Sequence, residues 1–84
     1  MADLSEIPRV KNVKVLENYI LEIDFDNGEH GHFSMLPYLD YPVYQILKDY
    51  SVFSKARASM GLVSWNGDIE IDPDRLYLEC QMLA

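Results

Sequence analysis

Tyr19, Leu21, Ile23 and Phe25 alternate with Ile20, Glu22 and Asp24, and the run leads almost directly into Asn27-Gly28. Alternation at period two places one set of side chains on a single face of a strand. The Asn-Gly pair readily takes the positive φ angles of a tight hairpin turn. Together they predict an antiparallel hairpin with Glu29–Ser34 as the returning strand. The length of the turn then decides which side chains share a face. With Asn27 and Gly28 as a two-residue loop, Phe25 lies opposite His30 and Ile23 opposite His32. Both histidines then join the apolar face, and Phe33 faces Glu22. A three-residue loop with a bulge reverses the assignment; the two-residue turn is the favoured reading.

Other elements follow from similar patterns. Residues 1–8 lack periodicity and read as a frayed lead-in, after which Val10, Val13 and Val15 suggest a first β-branched strand that ends at Glu17 and Asn18. Leu36 to Pro42 is an ordered connector. Pro42 suits the first position of a short helix, and Val43, Tyr44, Ile46, Leu47 and Tyr50 recur at helical spacing, with the helix ending near Asp49. Ala56 and Ala58 alternate with Lys55, Arg57 and Ser59 as a third strand of the main body, followed by a Met60-Gly61 turn and a returning strand Leu62 to Trp65. Asn66-Gly67 repeats the hairpin signal. Ile69 and Ile71 then alternate with Asp68, Glu70 and Asp72. Asp72-Pro73 marks a helix start, with the carboxylate capping free N–H groups and proline in the first turn. This last helix is expected from Pro73 to about Met82, with Arg75 and Glu79 paired on its exposed side and Leu76, Tyr77 and Cys80 facing inward. The class is therefore α+β: a small antiparallel sheet built from hairpins, with two short helices including one at the C-terminus.

Length and composition narrow the function. With 84 residues there is room for one domain, spanning 1–84. Cys80 is the single cysteine, so an internal disulfide and a cysteine-based zinc site are both excluded, and a cytoplasmic setting is the natural expectation. No apolar run approaches the length that spans a bilayer, and no signal peptide is visible. Seven Lys and Arg against 14 Asp and Glu give a formal charge of −7. Such a chain repels phosphate-rich partners, and its basic residues are dispersed, so direct nucleic-acid binding is not expected. The same charge suits a basic protein partner.

Chemistry-bearing constellations are few. His30 and His32, at i and i+2, would point the same way from a strand, but two imidazoles are too few for a stable zinc site and no third ligand is evident. The plainer reading is a pair of half-buried sheet histidines, and no cofactor is expected. None of the serines has the context of a nucleophile elbow, and the four glycines are scattered rather than forming a phosphate loop. The acidic run Asp68 to Asp74 lacks the spacing of a calcium loop and is explained by a solvated strand edge and a helix cap. No catalytic residue emerges, so the chain does not read as an enzyme. Trp65, Tyr38, Tyr41 and Tyr44 either fill the core or form an aromatic contact patch; with Asp68 and Glu70, the residues Trp65, Tyr38 and Tyr41 are the candidate partner contacts. The edge strands of so small a sheet also allow a homodimer as well as a monomer.

The segment Trp65-Asn66-Gly67-Asp68-Ile69-Glu70-Ile71-Asp72-Pro73-Asp74-Arg75-Leu76-Tyr77 resembles the DUF2442 domains of bacterial proteins, whose hallmark is a tryptophan followed by an acidic stretch and aspartate-proline-aspartate-leucine-tyrosine. Pro8, Val10, Val13, Tyr19-Ile20-Leu21, Phe25-Asp26-Asn27-Gly28-Glu29, Leu36-Pro37-Tyr38-Leu39, Leu47 and Phe53 fall in the family's order, so the resemblance covers nearly the whole chain. It implies a small α+β fold in a bacterial cytoplasm and brings no catalytic residues to carry over. Some members are joined to a helix-turn-helix DNA-binding domain, which suggests a regulatory or ligand-sensing role for the shared part. No such extension precedes Ala84, so DNA binding is not expected to transfer. Two expectations result: a non-catalytic interaction or regulatory module that binds another protein, and, as the alternative, a metal-binding protein or metal-dependent enzyme using His30 and His32.

Overall fold

The computed structural model describes residues 7–65 and 69–83. The expected Asn66-Gly67 turn, Asp68 and most of the lead-in expected over residues 1–8 lie outside the described residues. The first hairpin is β1 (Val10–Leu16) and β2 (Ile20–Phe25), followed by β3 (His30–Ser34). A connector of two short 3-10 segments, Leu36–Tyr38 and Pro42–Lys48, leads to a single helical turn, α1 (Tyr50–Phe53). β4 (Arg57–Ser59), β5 (Leu62–Trp65) and β6 (Ile69–Glu70) follow, then α2 (Pro73–Glu79) and a two-residue strand, β7 (Gln81–Met82). The fold is α+β, as the sequence predicts.

Two antiparallel sheets result. One has the order β1-β2-β3-β7 and the other β4-β5-β6. The strand expected around Ala56 and Ala58 therefore belongs to a second sheet rather than to the main body. Its position is fixed by contacts that local pattern cannot reveal: the Val10 amide donates to the Gly61 carbonyl (3.0 Å), and the Arg9 guanidinium donates to the Met60 carbonyl (3.3 Å). The β4–β5 turn is thereby tied to the start of β1.

The register of the β2–β3 hairpin corrects the two-residue turn. Leu21 pairs with Phe33, Glu22 with His32, Ile23 with Gly31 and Asp24 with His30. Asp26, Asn27 and Gly28 form a three-residue loop closed by the Phe25 amide on the Glu29 carbonyl (2.8 Å), with Gly28 at φ +91°. The Asn27 carboxamide favours this loop by accepting the Glu29 amide (3.0 Å). One added loop residue turns every β3 side chain over. Phe33 enters the core, and His30 and His32 face outward with Glu22 and Asp24.

Two helix boundaries also differ from expectation. Pro42–Lys48 is a 3-10 segment rather than an α-helix, and a fresh cap follows it: the Asp49 carboxylate accepts the Ser51 amide (3.0 Å) to start α1. At the C-terminus α2 begins as expected, with Asp72 accepting the Asp74 amide (2.9 Å), but it stops at Glu79 instead of Met82. Cys80 is extended, and Gln81 and Met82 pair with His32 and Gly31 of β3. These are adequate helix formers, so the open edge of β3 has overridden local propensity.

The buried side chains form one contiguous cluster that includes Leu21, Ile23, Phe25, Phe33, Leu47, Phe53, Val63, Trp65, Ile71 and Leu76. Trp65 is fully enclosed, stacked on Phe53 with centroids 5.9 Å apart, and its indole N–H donates to the Phe53 carbonyl (2.9 Å). Tyr19 takes a left-handed backbone (φ 60°) between β1 and β2, and its ring packs on Phe53 and Tyr50 while its hydroxyl donates to the Lys48 carbonyl. An aromatic residue in that region is strained, and the aromatic packing holds it there.

Candidate functional site: an aromatic cleft

Among the described residues, the connector between β3 and α1 carries a group of exposed apolar side chains. Leu36, Tyr41, Val43 and Ile46 stand out from it, and Tyr50 follows at the start of α1. Its prolines explain why the segment is neither strand nor α-helix: Pro37 and Pro42 each occupy the first turn of a 3-10 segment, where a missing N–H is tolerated. Short 3-10 turns bring Tyr38, Tyr41 and Tyr44 to one side, against the start of α2.

Together they line a cleft of about 290 Å³, with Phe33 and Met35 at its base and Ile71, Asp72 and Arg75 on the far wall. Tyr38 is the centre of the arrangement. Its ring stacks against Phe33 (5.6 Å, 17°), and Tyr41 and Tyr44 stand nearly perpendicular to it, with centroids 5.7 and 6.5 Å away. Its hydroxyl donates to the Glu79 carboxylate. The Arg75 guanidinium lies over the Tyr38 ring, 5.9 Å from the centroid, and forms a long ion pair with Glu79 (3.8 Å). Tyr44 reaches the Glu70 carbonyl through its hydroxyl (3.2 Å).

Electrostatically the tyrosines are neutral walls. Burial, reinforced by the hydrogen bond to Glu79, pushes the Tyr38 hydroxyl above the ordinary tyrosine range, and burial does the same for Tyr44. Neither ionises near neutral pH. The cleft therefore offers π-faces and hydroxyls flanked by the Asp72 and Glu79 carboxylates, with Arg75 as its lining cation.

The candidates named from sequence divide sharply. Tyr38, Tyr41 and Tyr44 come together at the cleft, and Glu70 touches it through its backbone. Trp65 is 0% exposed and belongs wholly to the core, so it offers no surface to a partner. Asp68 lies outside the described residues. His30 and His32 are on the outer sheet face, and no group of three or more His, Cys, Asp or Glu side chains able to hold a metal ion occurs among the described residues. A second cleft beside His32 includes Ser34 and Glu79, but the Ser34 hydroxyl is engaged as acceptor for the Leu36 amide (3.3 Å), a turn role rather than that of a nucleophile. Cys80 is a free buried thiol, raised to about 11 chiefly by burial, which suppresses the reactive thiolate. Arg75, Val43 and Ile71 were not legible as site residues, because their shared wall forms only when α2 packs beside the connector.

Among the described residues no helix is long and apolar enough to cross a membrane. The family model described as protein of unknown function (DUF2442) matches residues 10–81, from the start of β1 through α2 to the first residue of β7. Searches of the curated proteins and of the solved structures return no match.

Proposed function

We propose that this chain, which belongs to the DUF2442 family, is a non-catalytic interaction module whose aromatic cleft binds a basic segment of another protein. The observation that carries this reading is the exposure of the cleft's rim: Tyr41 is 50% exposed, Val43 58% and the neighbouring Ile46 53%. Grouped on one ordered connector, these half-exposed apolar side chains present a contiguous surface of the kind that marks contact sites. Rigid tyrosines in a pocket are also the side chains that anchor protein interfaces. Partner chemistry follows from charge. A formal −7 steers cations toward the surface and repels anions. A cytoplasmic setting is part of this proposal and suits a chain whose single cysteine leaves no internal disulfide to form.

Affinity capture on the immobilised full chain tests the reading, with extract applied at low and at high salt. A basic protein retained at low salt, weakened at high salt, and lost from a Tyr41→Ala/Val43→Asp variant is the expected result. A partner retained equally by that variant, or none at either salt, contradicts it.

A further inference from the structure

We infer that the cleft is a seat for a guanidinium or ammonium side chain, and that Arg75 occupies this seat in cis, competing with the cation of an incoming partner. The inference rests on the interaction reading above and names what that partner inserts. Three tyrosine rings meet at a corner, two of them almost perpendicular to Tyr38, at 88° and 85°. Such a corner offers a cation more than one aromatic ring and several hydroxyl oxygens, the arrangement by which cations are held on π-faces. That a guanidinium fits is already visible, since the Arg75 carbon lies 5.9 Å from the Tyr38 centroid.

Arg75 is also held loosely. Its ion pair with Glu79 is long at 3.8 Å, and the Arg75 and Glu79 side chains are 53% and 48% exposed. Exposed pairs of that kind contribute little. A partner's arginine or lysine therefore displaces Arg75 at small cost, leaving it in solvent or on the outer side of Glu79. Two carboxylates border the seat: Asp72 lines the cleft and Glu79 accepts the Tyr38 hydroxyl. Removing Arg75 consequently leaves an unoccupied aromatic corner with an acidic rim.

Competition of this kind makes a counterintuitive prediction. The probe is the peptide acetyl-Gly-Arg-Gly-amide, titrated into the 15N-labelled full chain, with the same peptide carrying neutral citrulline as the control. Arg75→Gln is compared with Arg57→Gln, an exposed β4 site that removes the same charge. Arginine peptide should shift the Tyr38, Tyr41 and Tyr44 signals, and Arg75→Gln should tighten its binding by roughly two- to fivefold, the factor expected from one exposed cation–π contact. Arg57→Gln should change it less, Arg75→Lys should stay near wild type, and Tyr41→Ala should weaken it. Equal effects of Arg75→Gln and Arg57→Gln, or equal binding of the citrulline peptide, overturn the inference. The two proposals fail separately. A captured protein that is lost on Tyr41→Ala/Val43→Asp, together with equal behaviour of the two arginine variants, removes the cation seat and leaves the interaction module. Tighter peptide binding by Arg75→Gln with no captured protein keeps the seat and removes the module.

Discussion

Gly31→Ala is the substitution whose cost can be worked most directly from the structure. A Cβ built on Gly31 would lie 2.5 Å from the Gln81 carbonyl oxygen, 2.8 Å from the Cys80 sulfur and 2.9 Å from the Gln81 carbonyl carbon. Ordinary contacts are about 3.5 Å or longer, so something must move by roughly 1 Å. Two of the three atoms are backbone and cannot rotate away. If the tail stays docked, overpacking of this size costs about 1–3 kcal/mol. If instead the tail detaches, the protein loses the Leu83 amide bond to the His30 carbonyl (2.8 Å) and the pairing of Met82 with Gly31 and Gln81 with His32. At about 0.5–1.5 kcal/mol for each hydrogen bond, losing the Leu83 bond together with the ladder pairing costs at least a comparable amount. Both routes therefore converge on about 2 kcal/mol, which lowers Tm by roughly 8–16 °C in a domain of this size. Urea and thermal unfolding would measure it, and hydrogen exchange at Leu83 would report tail release. Gly28→Ala is the control: nothing lies within 4 Å of its Cβ, and only its φ of +91° opposes alanine, at a cost of about 1 kcal/mol. Wild-type stability for Gly31→Ala, or a smaller loss than for Gly28→Ala, would refute the docking of β7.

Trp65→Phe removes the buried indole donor to the Phe53 carbonyl and part of a fully enclosed ring, and should cost about 2–4 kcal/mol in urea unfolding; a loss under about 0.5 kcal/mol would contradict the assigned hydrogen bond. The Tyr77 and Asn27 hydrogen bonds hold the Glu29 carboxyl below the ordinary glutamate range. A depressed folded pKa stabilises above the unfolded pKa of about 4.3, and the contribution is lost as pH falls through the folded value. Tyr77→Phe should therefore show a shallower loss of stability on acidification than wild type, and parallel curves would count against the pairing. Cys80 should react slowly with a thiol reagent at pH 8 while folded and rapidly in denaturant, because burial raises its pKa to about 11; equal rates would mean that the thiol is accessible.

What could be read ahead of the structure was local. Alternation from Tyr19 to Phe25 and the Asp72-Pro73 cap each depend on neighbouring residues: β2 forms over Ile20–Phe25, and the cap starts α2 where expected. The turn at Asn27-Gly28 was placed correctly, yet its length depends on an Asn27 side-chain bond to the Glu29 amide, which composition does not reveal. Longer-range competition explains the other differences. Ala56 to Ser59 reads as a strand from any viewpoint, and only the tie between Gly61 and Val10 assigns it to a second sheet. Gln81 and Met82 would continue α2, but the edge of β3 captures them. At the cleft, the tyrosines were visible as an aromatic group. Arg75 read as an ordinary helix-surface residue paired with Glu79, and that pair forms, but its position over Tyr38 depends on how α2 packs against the connector.

The measurement that bears most directly on the central claim is the footprint of a captured basic partner on the 15N-labelled full chain. Binding at the cleft predicts the largest amide and ring shifts at Tyr38, Tyr41, Val43, Tyr44, Ile71 and Arg75, with the outer sheet face around His30 and His32 unmoved. Shifts centred on that outer face, with the tyrosines unchanged, would contradict the assignment of the cleft as the contact surface.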